Sequence, residues 1–341
     1  MGRLRDAWQA FRGYAAAQDS RASSWAASGG SATAEVGAAA PTVARRARDA
    51  VRNDPYAARI VDLWTGNAVG AGITTRWPDK PHAEAWRRWS DSTACDAEGR
   101  VHVQLRQDPM TDAEAPAVVV LAPHGRRLAA WGGAEVADGH MLSVHPDGRV
   151  FVVDRDAQEI IVFSPEGKRL GGIGRRHAPG EPFNAPCDVA FAPDGTIYVA
   201  DGYAASVVHR FSAEGTPLGR WGREGTGPGE FTTPHSVWVL PDGRVTVADR
   251  ENNRVQVFTP DGTWLADWRG NHKPMSVHGA PDGGLYVTDQ VPQLSLLSKD
   301  GTILGRCRPV LNGAHGMWRA PDGCIFLSEQ TPSRVTRLVP L

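Results

Sequence analysis

Three histidines, His140, His235 and His315, share one position in a repeating unit: each lies eight residues before a turn glycine, Gly148, Gly243 and Gly323. Residues at equal offsets in a repeat occupy equivalent places in successive copies. Three neutral imidazoles converging on one point leave a fourth coordination position open, which is the donor set of a catalytic zinc ion and not of a closed structural one. The competing reading is that histidine merely recurs at the lip of a polar channel. The intervening copies carry Asp91, Cys187 and Met275 at this offset, so histidine falls in alternate units. Cys187 is a secondary ligand candidate, although Cys187 and Met275 are expected chiefly to pack. His102, His124, His145, His177, His209, His272 and His278 do not share the offset and read as surface or turn residues.

The elements that position these residues follow from the repeat. Turns ending at Gly99, Gly148, Gly195, Gly243, Gly283 and Gly323 recur about every 40–50 residues. Each precedes a β-branched or aromatic run such as RVFVVD, TIYVAD or RVTVAD, and a second turn (PHGRRL, PEGKRL, PDGTWL) follows in the first five. Four short strands per unit and six units predict an all-β fold, a six-bladed β-propeller over residues 94–341. The 38 Gly, 25 Pro and 41% hydrophobic residues suit such a fold. Trp131, Trp221 and Trp268 stand at outer strand ends, where they can pack between blades. The histidine position opens the innermost strand, so the three rings come from alternate blades and meet at the channel mouth.

Two further offsets carry polar residues. Six residues after the turn glycine stand Asp154, Asp201, Asp249, Asp289 and Glu329, read as structural acids accepting backbone N–H bonds at a strand end. One residue further stand Arg106, Arg155 and Arg250, with Gly202, Gln290 and Gln330 in the other units. An arginine there either grips a substrate carboxylate or pairs with a neighbouring acid. Tyr203 follows the same strand end and reaches the mouth, where a lone tyrosine ordinarily packs with its hydroxyl wet.

Lys and Arg number 37 against 38 Asp and Glu, a net charge of -1, so no global field favours nucleic acid or an anionic membrane. Four dispersed cysteines without a CxxC pair fit neither a zinc ribbon nor a disulfide framework. The charged first residues hold no apolar leader segment, and the expected location is cytoplasmic. Residues 1–40, rich in Ala, Ser and Gly, are expected to be mobile. Residues 41–93 are expected to be helical, with a break at Asn53-Asp54, where Asp54 is a candidate N-cap and Pro55 the first helical residue.

The segments SRASSW, ARRARDAVRNDPYAARIVDLWTGNAVGAGI and AWRRWSDSTACDAEGR resemble the N-terminal part of lambda-type phage portal proteins. That resemblance implies a ring of subunits threading DNA, built from several hundred further residues of the same family. The expectation here is a portal-like helical appendage, with a structural virion component as an alternative function.

The run FTTPHSVWVLPDGRVTVADRENNRVQVFTPDG resembles NHL repeats, a family of six-bladed propellers that also includes non-catalytic binding platforms. Together with the DGY containing Tyr203 and with GAHGMW, the run PHSVWVLPDGRVTVADRENNRVQVF further resembles peptidyl-alpha-hydroxyglycine alpha-amidating lyases and their bacterial relatives. The resemblance implies a zinc propeller that cleaves a carbinolamide into an amide and glyoxylate. It implies His140, His235 and His315 as zinc ligands, Tyr203 as base, made more acidic by arginine charge, and Arg106 and Arg250 as assisting groups. The implied partner is a small-molecule or peptide substrate with a hydroxyglycine-like carbinolamide, without nucleic acid or membrane. Gly316 stands where animal relatives carry an aspartate that helps hold calcium, so no calcium site is assigned.

The two resemblances meet near Gly99. Blade one should open with an apolar strand but reads RWSDSTACD, and the sequence after Gly323 supplies three strands of blade six. The missing strand is expected from portal-like sequence such as AEAWRRW, giving a poorly closed ring with an under-packed first blade.

Overall fold

The computed structural model describes residues 57–61, 68–74, 90–106, 115–310, 313–330 and 334–340. The six turn glycines adopt left-handed backbone angles, with φ between 76° at Gly99 and 91° at Gly148, which an L side chain would strain. Each turn joins the inner strand of a blade to its second strand. The inner strands are Ser90–Cys95, Gly139–Val144, Asp188–Phe191, Pro234–Val239, Pro274–Gly279 and Ala314–Arg319. Blades one to five are four-stranded antiparallel sheets built from consecutive strands. The fold is therefore the six-bladed β-propeller expected from the repeat.

Blade six differs. Its own strands Ala314–Arg319, Ile325–Glu329 and Arg334–Pro340 are completed by Ala68–Thr74, with Ala71 opposite Pro340 and Thr74 opposite Arg337. Ala57–Val61 pairs outside it as a fifth strand. The ring is thus closed by portal-like sequence, but by AVGAGIT; AEAWRRW lies outside the described residues. The helix expected from Pro55 onward is corrected to this strand pair. Ala, Arg and Leu favour a helix locally, but the open edge of Arg334–Pro340 offers a row of unpaired backbone groups, and tertiary pairing outweighs a weak propensity. The expectation for residues 1–40 lies outside the described residues.

Among the described residues, six apolar clusters each span two neighbouring blades. The cluster between blades six and one joins Val101, Val103 and Leu105 to Phe326 and Val335. Blade one is therefore filled on both flanks, which corrects the expected poor closure. The outer tryptophans do pack between blades: Trp131 covers Gly167, Trp221 covers Gly262 and Trp268 covers Gly301, each in the next blade, where a Cβ would collide with the indole. Among the described residues no helix is long and apolar enough to cross a membrane.

Candidate metal centre

The recurrent acids of blades two to five fix the start of their inner strands, whereas Glu329 of blade six accepts from the side chains of Arg334 and Thr336. Asp154 accepts the N–H groups of Ala137 and Asp138 at 2.8 and 2.9 Å, and Asp249 accepts that of Thr232 at 2.8 Å. Asp201 does the same for Asn184 and Ala185, and Asp289 for His272. Each acid thereby ties down its own blade's chain just before the histidine position. The structural reading of these acids holds.

That position brings His140, His235 and His315 together. They are 0%, 0% and 4% exposed, and one ring nitrogen from each lies within 4.8 Å of the others. Ring centroids are 4.7 to 5.0 Å apart in edge-to-face pairs. The arrangement repeats around the pore. His140 Nδ1 lies 2.7 Å from the carbonyl of Cys187, His235 Nδ1 lies 2.7 Å from that of Met275, and His315 Nδ1 lies 2.9 Å from that of Asp91. A carbonyl only accepts, so each Nδ1 carries the proton and each Nε2 presents a lone pair. Even blades supply imidazoles, and odd blades supply, at the same offset, the carbonyls that hold them.

Burial, reinforced by the neighbouring His315 and His235, holds His140 well below the usual histidine range. Burial, His315 and Arg250 do the same to His235. Burial also lowers His315, with Asp91 opposing. The rings are thus neutral, as metal ligands must be. Tyr203 Oη lies 3.1 Å from His140 Nε2 and 3.0 Å from His235 Nε2. A phenol has one proton for these two lone pairs, so the hydroxyl cannot serve both, and a cation suits the donor set. The triad can hold a metal ion. The thiol of Cys187 is not part of it: burial pushes that thiol up to about 12, and only its carbonyl serves the site.

Tyr203 stands at the mouth, 37% exposed. Arg250 Nη1 donates to its hydroxyl at 3.2 Å, and the guanidinium groups of Arg250 and Arg155 lie 5.2 and 5.4 Å from its ring centre. Contrary to the expected acidification by arginine, burial pushes the phenol up to about 12, although Arg250 pulls the other way. Arg106 pairs with an acid, its Nε and Nη2 meeting Asp138 at 3.0 and 2.5 Å. Asp138 also receives Arg155 Nη2 at 2.5 Å. Arg155, Asp138 and Asp91 therefore belong to the site. Arg155 shares the arginine offset and Asp91 the histidine offset, whereas Asp138 has no repeat position to mark it.

Three of the remaining histidines are buried, contrary to the surface reading. His102 lies 3.2 Å from Asp96, and His209 lies 3.2 Å from Asp201. His278 stacks on Trp238 at 3.9 Å and meets Trp318 edge-on at 4.8 Å.

Residues 18–111 match the lambda family of phage portal proteins, and residues 231–258 match the NHL repeat. No curated protein matches the chain. Among solved structures, a gluconolactonase from Xanthomonas campestris is similar with a TM-score of 0.62 at 17% identity, over 82% of this chain and 94% of that one. A streptogramin B lyase is similar at 0.53 and 14%, over 73% and 92%. The nidogen/laminin complex contains a chain similar at 0.55 and 14%, over 68% and 84%. At these identities the likeness shows the fold alone.

Proposed function

We propose that the chain is a zinc-dependent lyase of the amidating type, which cleaves the C–N bond of a hydroxyglycine-like carbinolamide to give an amide and glyoxylate. The observation that carries this reading is the placement of the Tyr203 hydroxyl between His140 and His235, with Arg250 on it. Zinc held by the three Nε2 atoms would supply Lewis acidity toward the substrate hydroxyl. The remaining chemistry belongs to the chain. Tyr203 is the base: with its own proton lost, which a held cation and Arg250 would favour against the cost of burial, it takes the hydroxyl proton. The C–O bond becomes a carbonyl as the C–N bond breaks, and the electron pair leaves on the amide nitrogen. That nitrogen recovers the proton from Tyr203, so atoms and charge balance without an oxidant. Arg155 and Arg250, over the tyrosine ring, offset the phenolate charge. Arg250 is placed to orient the substrate carboxylate, whereas Arg106 acts through Asp138, which it grips with two nitrogens. The buried triad supports this reading over a passive binding ring.

The test is glyoxylate release from an N-acyl-α-hydroxyglycine by wild type and Tyr203→Phe, with zinc content measured on the same samples. The variant should lose at least about 10²-fold in turnover at equal zinc. A wild-type rate in Tyr203→Phe removes the assignment.

A further inference from the structure

The three ligands are held in the same way but not by equivalent residues. Behind His140 stands the carbonyl of a buried cysteine, and behind His235 that of a methionine. Behind His315 stands Asp91, 0% exposed, which offers its carbonyl and a carboxylate whose Oδ1 is 3.9 Å from the same Nδ1. That carboxylate is held by Gln330 Nε2, which donates to Oδ1, while Oδ2, buried without a hydrogen-bond partner, faces Arg106 Nε at 3.6 Å. Gly316 allows the approach, since a Cβ there would sit 2.6 Å from Ser92 Cα and 2.7 Å from the Asp91 carbonyl oxygen.

We infer that Asp91 is a positioning residue for the third metal ligand. Its carbonyl orients the His315 ring, and its carboxylate places a negative charge behind that ring alone. An ion in the triad is then held unequally, most firmly from blade six. Asp91 lies inside the stretch that matches the portal family, so the portal-like segment supplies part of the metal centre as well as the strand that closes the ring. The inference rests on the metal-binding part of the reading above and not on the reaction.

Asp91→Asn in the full chain keeps the backbone carbonyl and the shape while removing the charge. Zinc affinity is read by chelator competition, and the geometry at the ion by the visible absorption of the cobalt-substituted protein, with the melting temperature of the metal-free protein as the control for folding. The expected result is about 10–100-fold weaker zinc binding and an altered cobalt spectrum. Gln330→Leu, which frees the carboxylate without removing it, should weaken zinc by a smaller factor and serves if Asp91→Asn does not fold. Equal affinity and an equal spectrum in Asp91→Asn and wild type, or in Gln330→Leu and wild type if the first does not fold, overturn the inference. A wild type that binds no zinc overturns the metal reading itself. Absence of turnover with intact zinc binding bears only on the proposed reaction.

Discussion

Blades four and one have the same four-stranded meander and the same apolar second strand, with Val245 and Val247 in one and Val101 and Val103 in the other. They differ along the inner strand. Blade four runs His235, Ser236, Val237, and Val237 packs into the cluster shared with blade three. Blade one runs Asp91, Ser92, Thr93, all buried, and the Thr93 hydroxyl has no hydrogen-bond partner. Gln104 Oε1 and His102 Nδ1 in the same blade are likewise buried without one. The second and third strands, packed on both flanks, are therefore enough to build a blade. The inner strand serves the pore, and a polar sequence of different family likeness can occupy it at some cost in stability.

Three measurements test this contrast. The largest effect is expected at Gly316, whose counterpart in blade four is Ser236. Gly316→Ser imports the blade-four residue against the backbone of Ser92 and Asp91, which cannot yield as a flexible side chain would. A loss of about 3 kcal/mol in denaturant unfolding is expected, and an unchanged midpoint would show that blades six and one are not in close backbone contact. Next, amide hydrogen exchange should find Val101–Leu105 less protected than Val245–Asp249. Each orphaned buried polar atom costs about 1–3 kcal/mol, so exchange in blade one should be at least about tenfold faster. Equal protection would remove the difference between the blades. The smallest effect is a gain: Thr93→Val gives blade one the residue that blade four has at Val237. Deleting the unpartnered hydroxyl should stabilise the fold by about 1 kcal/mol, and a loss of stability would reveal a partner for that oxygen.

The fold was legible because a turn glycine and the strand after it recur, and the period fixes both the number of blades and the offset that collects the histidines. The triad could be found by counting because a ligand on an inner strand keeps its place in the repeat. Tyr203 and Arg250 lie just beyond a strand end, and the family resemblance was needed to give them roles. The remainder was hidden for physical reasons. Ala68–Thr74 takes its place in blade six because a distant edge, Arg334–Pro340, pairs with it. Asp138 acts through ion pairs with Arg106 and Arg155, whose geometry no spacing encodes. The part played by Asp91 depends on its carbonyl and on where its carboxylate lies behind His315, and neither placement leaves a trace in residue type. His278 looked like a surface residue because its cover, Trp238 and Trp318, comes from other blades.

The pairing of Ala68–Thr74 with Arg334–Pro340 also has a consequence for biosynthesis. The early strand leaves the ribosome with only Ala57–Val61 beside it, and its other edge must wait until Arg334–Pro340 has been made. Its ladder spans the whole sequence of blades, so the last step of folding is a long-range closure, costly in chain entropy and slow compared with the hairpins before it. Until that closure, His315 and Asp91 belong to opposite lips of an open ring, and a chain stalled there would expose an unpaired edge to its neighbours.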